Sequence, residues 1–102
     1  MAQVLSSPTR FATRRSAFEI RMDILRAAEG GYVKPTHIMY RSNTSWTILR
    51  KSLESLVASG FMRESDEKPR TEYAVTDRGR EVLRDYVRLV DRTTAAPTEV
   101  LR

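Results

Sequence analysis

The chain has 102 residues, enough for one small domain with short tails, and its 40% hydrophobic and 30% charged residues are typical of a soluble globular protein. It has no cysteine, which excludes disulfides and thiolate metal sites, and no apolar run approaches the roughly 18 residues of a membrane span. Its 18 basic and 13 acidic residues give a net charge of +5, which is typical of nucleic-acid binders and is also a general aid to solubility.

The first 15 residues predict a flexible basic arm. Ser6, Ser7 and Pro8 interrupt any helical or strand pattern, and no continuous apolar core of a secretory signal is present. We therefore expect a cytoplasmic protein. The arm also carries positive charge, from Arg10, Arg14 and Arg15. Such an arm can follow a DNA backbone or enter a minor groove, or it can be a disordered tail.

The first helix is predicted to begin at Ser16. Ser16 and Glu19 have the spacing of a capping box, in which each side chain bonds to the other residue's backbone amide. Gly30 and Gly31 end the helix. Its wide apolar face predicts a core element and comprises Phe18, Ile20, Ile24, Leu25, Ala27 and Ala28.

A short second helix is predicted to begin at Lys34-Pro35, since proline suits the first turn of a helix. A polar connection follows, in which Asn43 tolerates the left-handed backbone of a tight turn. Thr44 or Ser45 can then cap the next helix. A short helix, a tight turn and a longer helix form the helix-turn-helix arrangement.

The third helix, within residues 44–60, has two different faces. Its apolar stripe consists of Trp46, Leu49, Leu53 and Leu56, at helical spacing. Its opposite side carries hydroxyls and cations: Thr47, Arg50, Lys51 and Ser55. Such a helix can lie in the major groove of DNA, although the same pattern also describes an ordinary solvated face. Gly60 is expected to end it.

After Gly60 the pattern alternates, which predicts two strands, at residues 61–64 and 72–75. The polar residues between them predict a hairpin with an exposed tip, the wing of a winged helix. Lys68 and Arg70 could reach the phosphate backbone beside the third helix. The alternative is a solvated loop, which the neighbouring acids Asp66 and Glu67 favour.

Thr76-Asp77 is expected to cap a last helix over residues 77–92, and 93–102 to form a tail because Pro97 limits the helix. The apolar stripe of this helix could dock on a second copy of the chain or close the chain's own core. It comprises Val82, Leu83, Tyr86, Leu89 and Val90. The predicted organisation is thus an arm, a domain at 16–92 that includes this dimerisation helix, and a tail.

Several blocks within residues 16–92 occur together in one known family: Lys34–Tyr40, Asn43–Trp46, Leu53–Leu56, Gly60–Phe61 and Tyr73–Gly79. With them the chain resembles an archaeal winged-helix family of small basic DNA-binding proteins, described as predicted transcriptional regulators and including the ten-a type of nucleoid protein. The resemblance implies a mainly α fold with a small β-hairpin: a winged helix-turn-helix with a three-helix core plus a C-terminal helix.

The resemblance also implies a site on double-stranded DNA. The helix beginning at Ser45-Trp46 corresponds to the recognition helix, with Trp46 shared between the core and the phosphate edge and Arg50 on the flank. The implied DNA-facing residues are Ser45, Thr47, Ile48, Lys51 and Ser52. Further contacts are expected from Thr36, Arg41, Lys68 and Arg70.

Family members dimerise through the last helix, in nucleoid members as a long antiparallel coiled coil. Here only 23 residues follow Gly79, which leaves a compact dimer or a monomer open.

Three functions follow, of which a dimeric transcriptional regulator is preferred. The second is an architectural nucleoid-associated protein with little sequence specificity, and the third is a winged-helix module for protein–protein interaction. We expect no enzyme, because there is no nucleophile motif and no glycine-rich phosphate loop. His37 is the single histidine, so no metal site is expected, and neither a cofactor, a small-molecule substrate nor a membrane partner is inferred.

Overall fold

The structure, a computed structural model, describes residues 15–65 and 70–100, with the side chains of 94–100 left undescribed. This part of the chain forms four helices and two strands. The helices are α1 (Ala17–Glu29), α2 (Pro35–Ser42), α3 (Trp46–Ala58) and α4 (Asp77–Val100), and the strands between α3 and α4 are β1 (Met62–Ser65) and β2 (Glu72–Val75). The two strands pair antiparallel, with Met62 opposite Val75 and Ser65 opposite Glu72. Three helices followed by a hairpin and a C-terminal helix form a winged helix-turn-helix, which confirms the predicted fold.

The core lies where α1, α2 and α3 meet the hairpin and the first half of α4. The N-terminus of α1 has the predicted capping box: the Ser16 hydroxyl accepts from the Glu19 amide at 3.1 Å, and the Ser16 amide donates to the Glu19 carboxylate at 2.9 Å. Large side chains from four elements are fully buried: Ile24, Leu25, Ile38, Leu49, Leu56 and Met62. Burial of one such side chain contributes roughly 1.5–3 kcal/mol.

Each of the three core helices is closely followed by a residue in the left-handed backbone conformation. Gly31, Asn43 and Gly60 have φ of 106°, 57° and 83°, a region that glycine and asparagine tolerate best. At the end of α3, the Phe61 amide then donates to the Leu56 carbonyl at 2.9 Å, which satisfies a carbonyl of the last turn. These tight endings fix the directions in which the chain leaves each helix.

The C-terminal helix is longer than the sequence predicts. Instead of stopping at residue 92, α4 extends over Asp77–Val100. The Thr93 hydroxyl donates to the Leu89 carbonyl at 2.8 Å, so this threonine is accommodated inside the helix instead of breaking it. Ala95 and Ala96 are strong helix formers and favour its continuation. The predicted tail at 93–102 is therefore helical through Val100.

Candidate nucleic-acid interface

The leucines of α3 turn inward, as predicted. Leu49, Leu53 and Leu56 are all buried in the common core. The Ser45 hydroxyl caps the helix by accepting from the Ile48 amide at 3.3 Å. The rotation of α3 about its axis is thus fixed by its apolar side, and the opposite side faces solvent.

The solvent side of α3 carries cations and small groups. Thr47, Arg50 and Lys51 are exposed, and Ile48 is 42% exposed. Arg50 lies 4.0 Å from Glu54, but both side chains are mostly exposed, and such pairs contribute little. Lys51 is in no ion pair within the described ranges. This face can therefore offer two cations, a hydroxyl and a methyl-bearing side chain to a partner.

Two residues of α3 differ from the prediction. Ser52, expected to face DNA, is buried at 9% exposure because it lies beside Leu49 and Leu53 on the inward side. That expectation was wrong. Trp46, counted in the apolar stripe, is 49% exposed because it is the first residue of the helix and projects past the edge of the core. Its indole therefore lies largely at the surface, at the start of the helix.

The turn between α2 and α3 is closed by the Thr44 amide, which donates to the Met39 carbonyl at 3.1 Å. The Ser42 hydroxyl donates to the Ile38 carbonyl at 2.6 Å, and Asn43 takes the left-handed conformation that the sequence predicted. Arg41 and Ser45, on either side of this turn, are exposed, and so is Thr36 in the first turn of α2. The turn thus presents Arg41 and Ser45 from a fixed backbone.

Arg15 was assigned to the arm but belongs to the folded domain. Its guanidinium bonds to the Asp23 carboxylate at 2.6 Å and donates to the carbonyls of Ser42 and Asn43 at 2.8 and 2.5 Å. It thereby ties the start of α1 to the helix-turn-helix. No local spacing signals this role, because the bonded carbonyls lie 27 and 28 residues further along the chain. The rest of the predicted arm lies outside the described residues.

The hairpin is fixed against α3 and α4 by the Tyr73–Gly79 block. The Thr76 amide donates to the Phe61 carbonyl at 3.1 Å, and the Thr76 hydroxyl caps α4 by accepting from the Gly79 amide at 3.1 Å. A Cβ added at Gly79 would lie 2.1 Å from the Phe61 carbonyl oxygen, so only glycine permits this approach. The Arg78 guanidinium lies 5.3 Å from the Phe61 ring centre.

The wing contributes exposed cations. Arg70, predicted to reach a phosphate, is exposed, whereas Lys68 lies outside the described residues. Arg63 on β1 is a further exposed cation that the sequence reading did not single out. Its outward position follows from strand alternation, because Met62 beside it is buried.

Tyr73 is a partly buried residue on β2. Burial raises the pKa of its phenol, and the carboxylates of Glu64 and Glu54 raise it further. Its backbone amide donates to the Val33 carbonyl at 2.9 Å, which holds the hairpin against the segment that precedes α2. Tyr73 is therefore a neutral packing residue at physiological pH.

The predicted dimerisation stripe of α4 divides into two parts. Leu83 is buried at 7% exposure, and Val82 and Tyr86 pack against the same core. The Tyr86 ring contacts Phe18 of α1 edge to face, with ring centres 5.4 Å apart. Leu83 is therefore unavailable to a partner, because it closes the chain's own core. Leu89 is 61% exposed and Val90 is 37% exposed.

Residues 15–65 and 70–100 contain neither a cluster of metal ligands nor a membrane-spanning helix. Within these ranges no three histidine, aspartate or glutamate side chains come together as metal ligands would. The helices there are too short or too polar to cross a bilayer.

Comparison with known proteins places these features in a family. The family model for winged helix-turn-helix proteins matches residues 14–94. The chain is 27% identical over 84 residues to the uncharacterised protein MJ0287 of Methanocaldococcus jannaschii, covering 82% of each chain. It superposes with a TM-score of 0.65 on Sso10a-2, a DNA-binding protein from Sulfolobus solfataricus, at 26% identity over 84% of this chain and 93% of that one. The transcriptional regulator BldR of the same organism has a similar fold, with a TM-score of 0.63, 17% identity, and coverage of 76% and 60%. The chain belongs to the winged helix-turn-helix family.

Proposed function

We propose that this protein binds double-stranded DNA as a dimeric transcriptional regulator, with α3 in the major groove and the hairpin on the phosphate backbone. The observation that carries the proposal is the charge of the helix-turn-helix: residues 30–58 contain one carboxylate, that of Glu54 in the second half of α3, whereas the exposed face of α3 carries Arg50 and Lys51. Phosphates attract such a surface, and a carboxylate at its centre would oppose binding. The likeness to Sso10a-2, a DNA-binding protein, supports the same function.

Side chains around α3 divide into two roles. Thr47, Ile48 and Lys51 lie on the outward face of α3, where hydroxyl, methyl and ammonium groups would meet base edges in the major groove. Phosphate contacts fix the register of the protein on the duplex without reading sequence. We assign these to Thr36, Arg41, Ser45, Trp46, Arg50, Lys68 and Arg70.

The dimer is proposed to form through the distal part of α4. Leu89 is exposed on a helix that extends well beyond the last core contact, and an apolar side chain in that position is stabilised when a second copy covers it. Val90 lies beside it on the same helix. Two recognition helices on one duplex would double the number of phosphate contacts. Such a protein would act in the cytoplasm, on the nucleoid.

An architectural role with little sequence preference is the second candidate. The residues of α3 include no asparagine or glutamine, the side chains that most often read adenine. Such a protein would bind genomic fragments nearly as well as any single promoter.

Fluorescence anisotropy with the native upstream region and with mixed genomic fragments, at several salt concentrations, tests the proposal. About four phosphate contacts per protomer predict a log–log salt slope near −7 for a dimer. A slope flatter than about −2 would contradict DNA binding as the function. A specific regulator should prefer its own site by more than about 10³-fold, and a lower ratio indicates the architectural role.

A further inference from the structure

A polar cavity of about 460 Å³ lies between α1 and the turn that joins α2 to α3. Its charged lining consists of Arg15, Asp23, Arg26 and Arg41. Three of these four residues, Arg15, Asp23 and Arg26, have no part in the proposed DNA contacts.

The cavity carries an unbalanced positive charge. Three guanidinium groups face one carboxylate, that of Asp23, and this carboxylate already pairs with Arg15 at 2.6 Å. Arg26 and Arg41 are exposed, and neither is in an ion pair among the described residues. The lining therefore has a formal excess of two positive charges, and the two unpaired guanidinium groups supply it.

We propose that this cavity binds a small phosphate monoester. A dianion would balance the excess charge, and guanidinium groups bond to phosphate oxygens in a forked geometry that also orients the ligand. The volume falls within the roughly 300–1,000 Å³ of small-molecule sites, so it has room for the ester's organic part as well as the phosphate.

A free ester fits the cavity better than a DNA phosphate. Asp23, Arg26 and the rest of α1 lie on the side of α3 that buries Leu49 and Leu53. Arg41 also belongs to the proposed DNA contacts, so a duplex and the ester would compete for its guanidinium, whereas Arg26 is assigned to the ester alone. Asp23 would also repel a continuous polyanion passing over the cavity.

The ligand would contact the element that positions α3. Arg15 donates to the carbonyls of Ser42 and Asn43, and the turn leads directly to Ser45, which caps α3. An anion that bonds to Arg15 or Arg41 would shift this turn. Binding of the ester would then change the affinity for DNA, and binding of DNA would change the affinity for the ester by the same factor. This coupling depends on the proposed DNA-binding function, whereas binding of the ester does not.

The test is an NMR titration of the full chain, labelled with ¹⁵N, with AMP as the probe and with adenosine as its uncharged counterpart, at constant ionic strength. AMP should give saturable shifts of the amides around Ala27 and Asn43, with a Kd near or below about 1 mM, and adenosine should not. Arg26→Gln should weaken AMP binding about tenfold, because a charge-assisted hydrogen bond is lost. Arg84→Gln removes an exposed cation from α4 as a matched control, and it should leave AMP binding unchanged.

Three results would overturn the proposal: no saturable shift with AMP, equal shifts with adenosine, or equal AMP affinity in the Arg26→Gln variant. Loss of DNA affinity in Arg26→Gln without any AMP binding would assign the cavity to the DNA backbone and would also overturn it. Failure of the proposed DNA function would differ from all of these, because anisotropy with DNA would stay flat while the AMP titration still saturated.

Discussion

The Thr76 hydroxyl donates a hydrogen bond of 2.6 Å to the carbonyl of Gly60, a residue 16 positions earlier in the chain. The bond joins the segment that follows α3 to the start of α4, on either side of the hairpin. Gly79 on the next turn lies against the Phe61 carbonyl. This junction fixes the angle between the wing and α3, on which the proposed contact of both elements with one duplex depends.

Replacing Gly79 should disrupt this junction. In Gly79→Ala, the Cβ would lie 2.1 Å from the backbone oxygen of Phe61, and backbone cannot move aside as a flexible side chain can. We expect a loss of about 1–3 kcal/mol or more in the free energy of unfolding, measured by urea denaturation. Gly30→Ala is the matched control: its Cβ would meet nothing closer than 3.4 Å at a φ of −79°, so a change within about 0.5 kcal/mol is expected. Equal stability of the two variants would contradict the close approach.

Arg15 should stabilise the helix-turn-helix. Arg15→Ala leaves the carboxylate of Asp23 and two backbone carbonyls without their donor, in a site where the Arg15 side chain is 19% exposed. We expect a loss of about 1–3 kcal/mol in the free energy of unfolding, together with faster amide hydrogen exchange in the turn around Asn43. Arg26→Ala, which removes a cation without an ion pair, should change neither quantity. If both variants behave alike, Arg15 does not hold the turn.

These residues show how far local sequence reasoning reaches. The Ser16–Glu19 capping box, the left-handed Asn43 and the rotation of α3 were predictable, because each depends on spacings of a few residues. The contacts of Arg15 were not, because they join segments 27 and 28 residues apart.

Two errors arose where the polarity of a side chain conflicted with the helical pattern. Ser52 has a polar side chain at a position where helical geometry places it against the core. The sequence suggests a helix end at Thr93, but the Thr93 hydroxyl bonds within the helix, which continues. At both positions the residue type suggested the wrong structure. The burial of Ser52 is determined by tertiary packing, and the continuation of the helix at Thr93 by hydrogen bonding.

The exposed end of α4 should carry the dimer. Leu89→Asp places a charge where we propose that a second copy packs, so analytical ultracentrifugation should show conversion to monomer. Arg88→Asp is the control, because Arg88 lies on the polar side of α4 and its replacement should leave the dimer intact. An unchanged sedimentation profile for Leu89→Asp would remove this part of the helix from the interface.

The central claim is that the cationic outer face of α3 binds DNA, and the double variant Arg50→Ala with Lys51→Ala tests it most directly. Both side chains are exposed, so circular dichroism should show an unchanged fold. Arg84→Ala with Arg88→Ala removes the same charge from the polar side of α4 and serves as the control. We predict at least a tenfold loss of DNA affinity by anisotropy. The salt slope should also flatten by about 2, because the Arg50 phosphate contact is lost from each protomer of the dimer. Unchanged affinity, or an equal loss in the α4 control, would contradict the account.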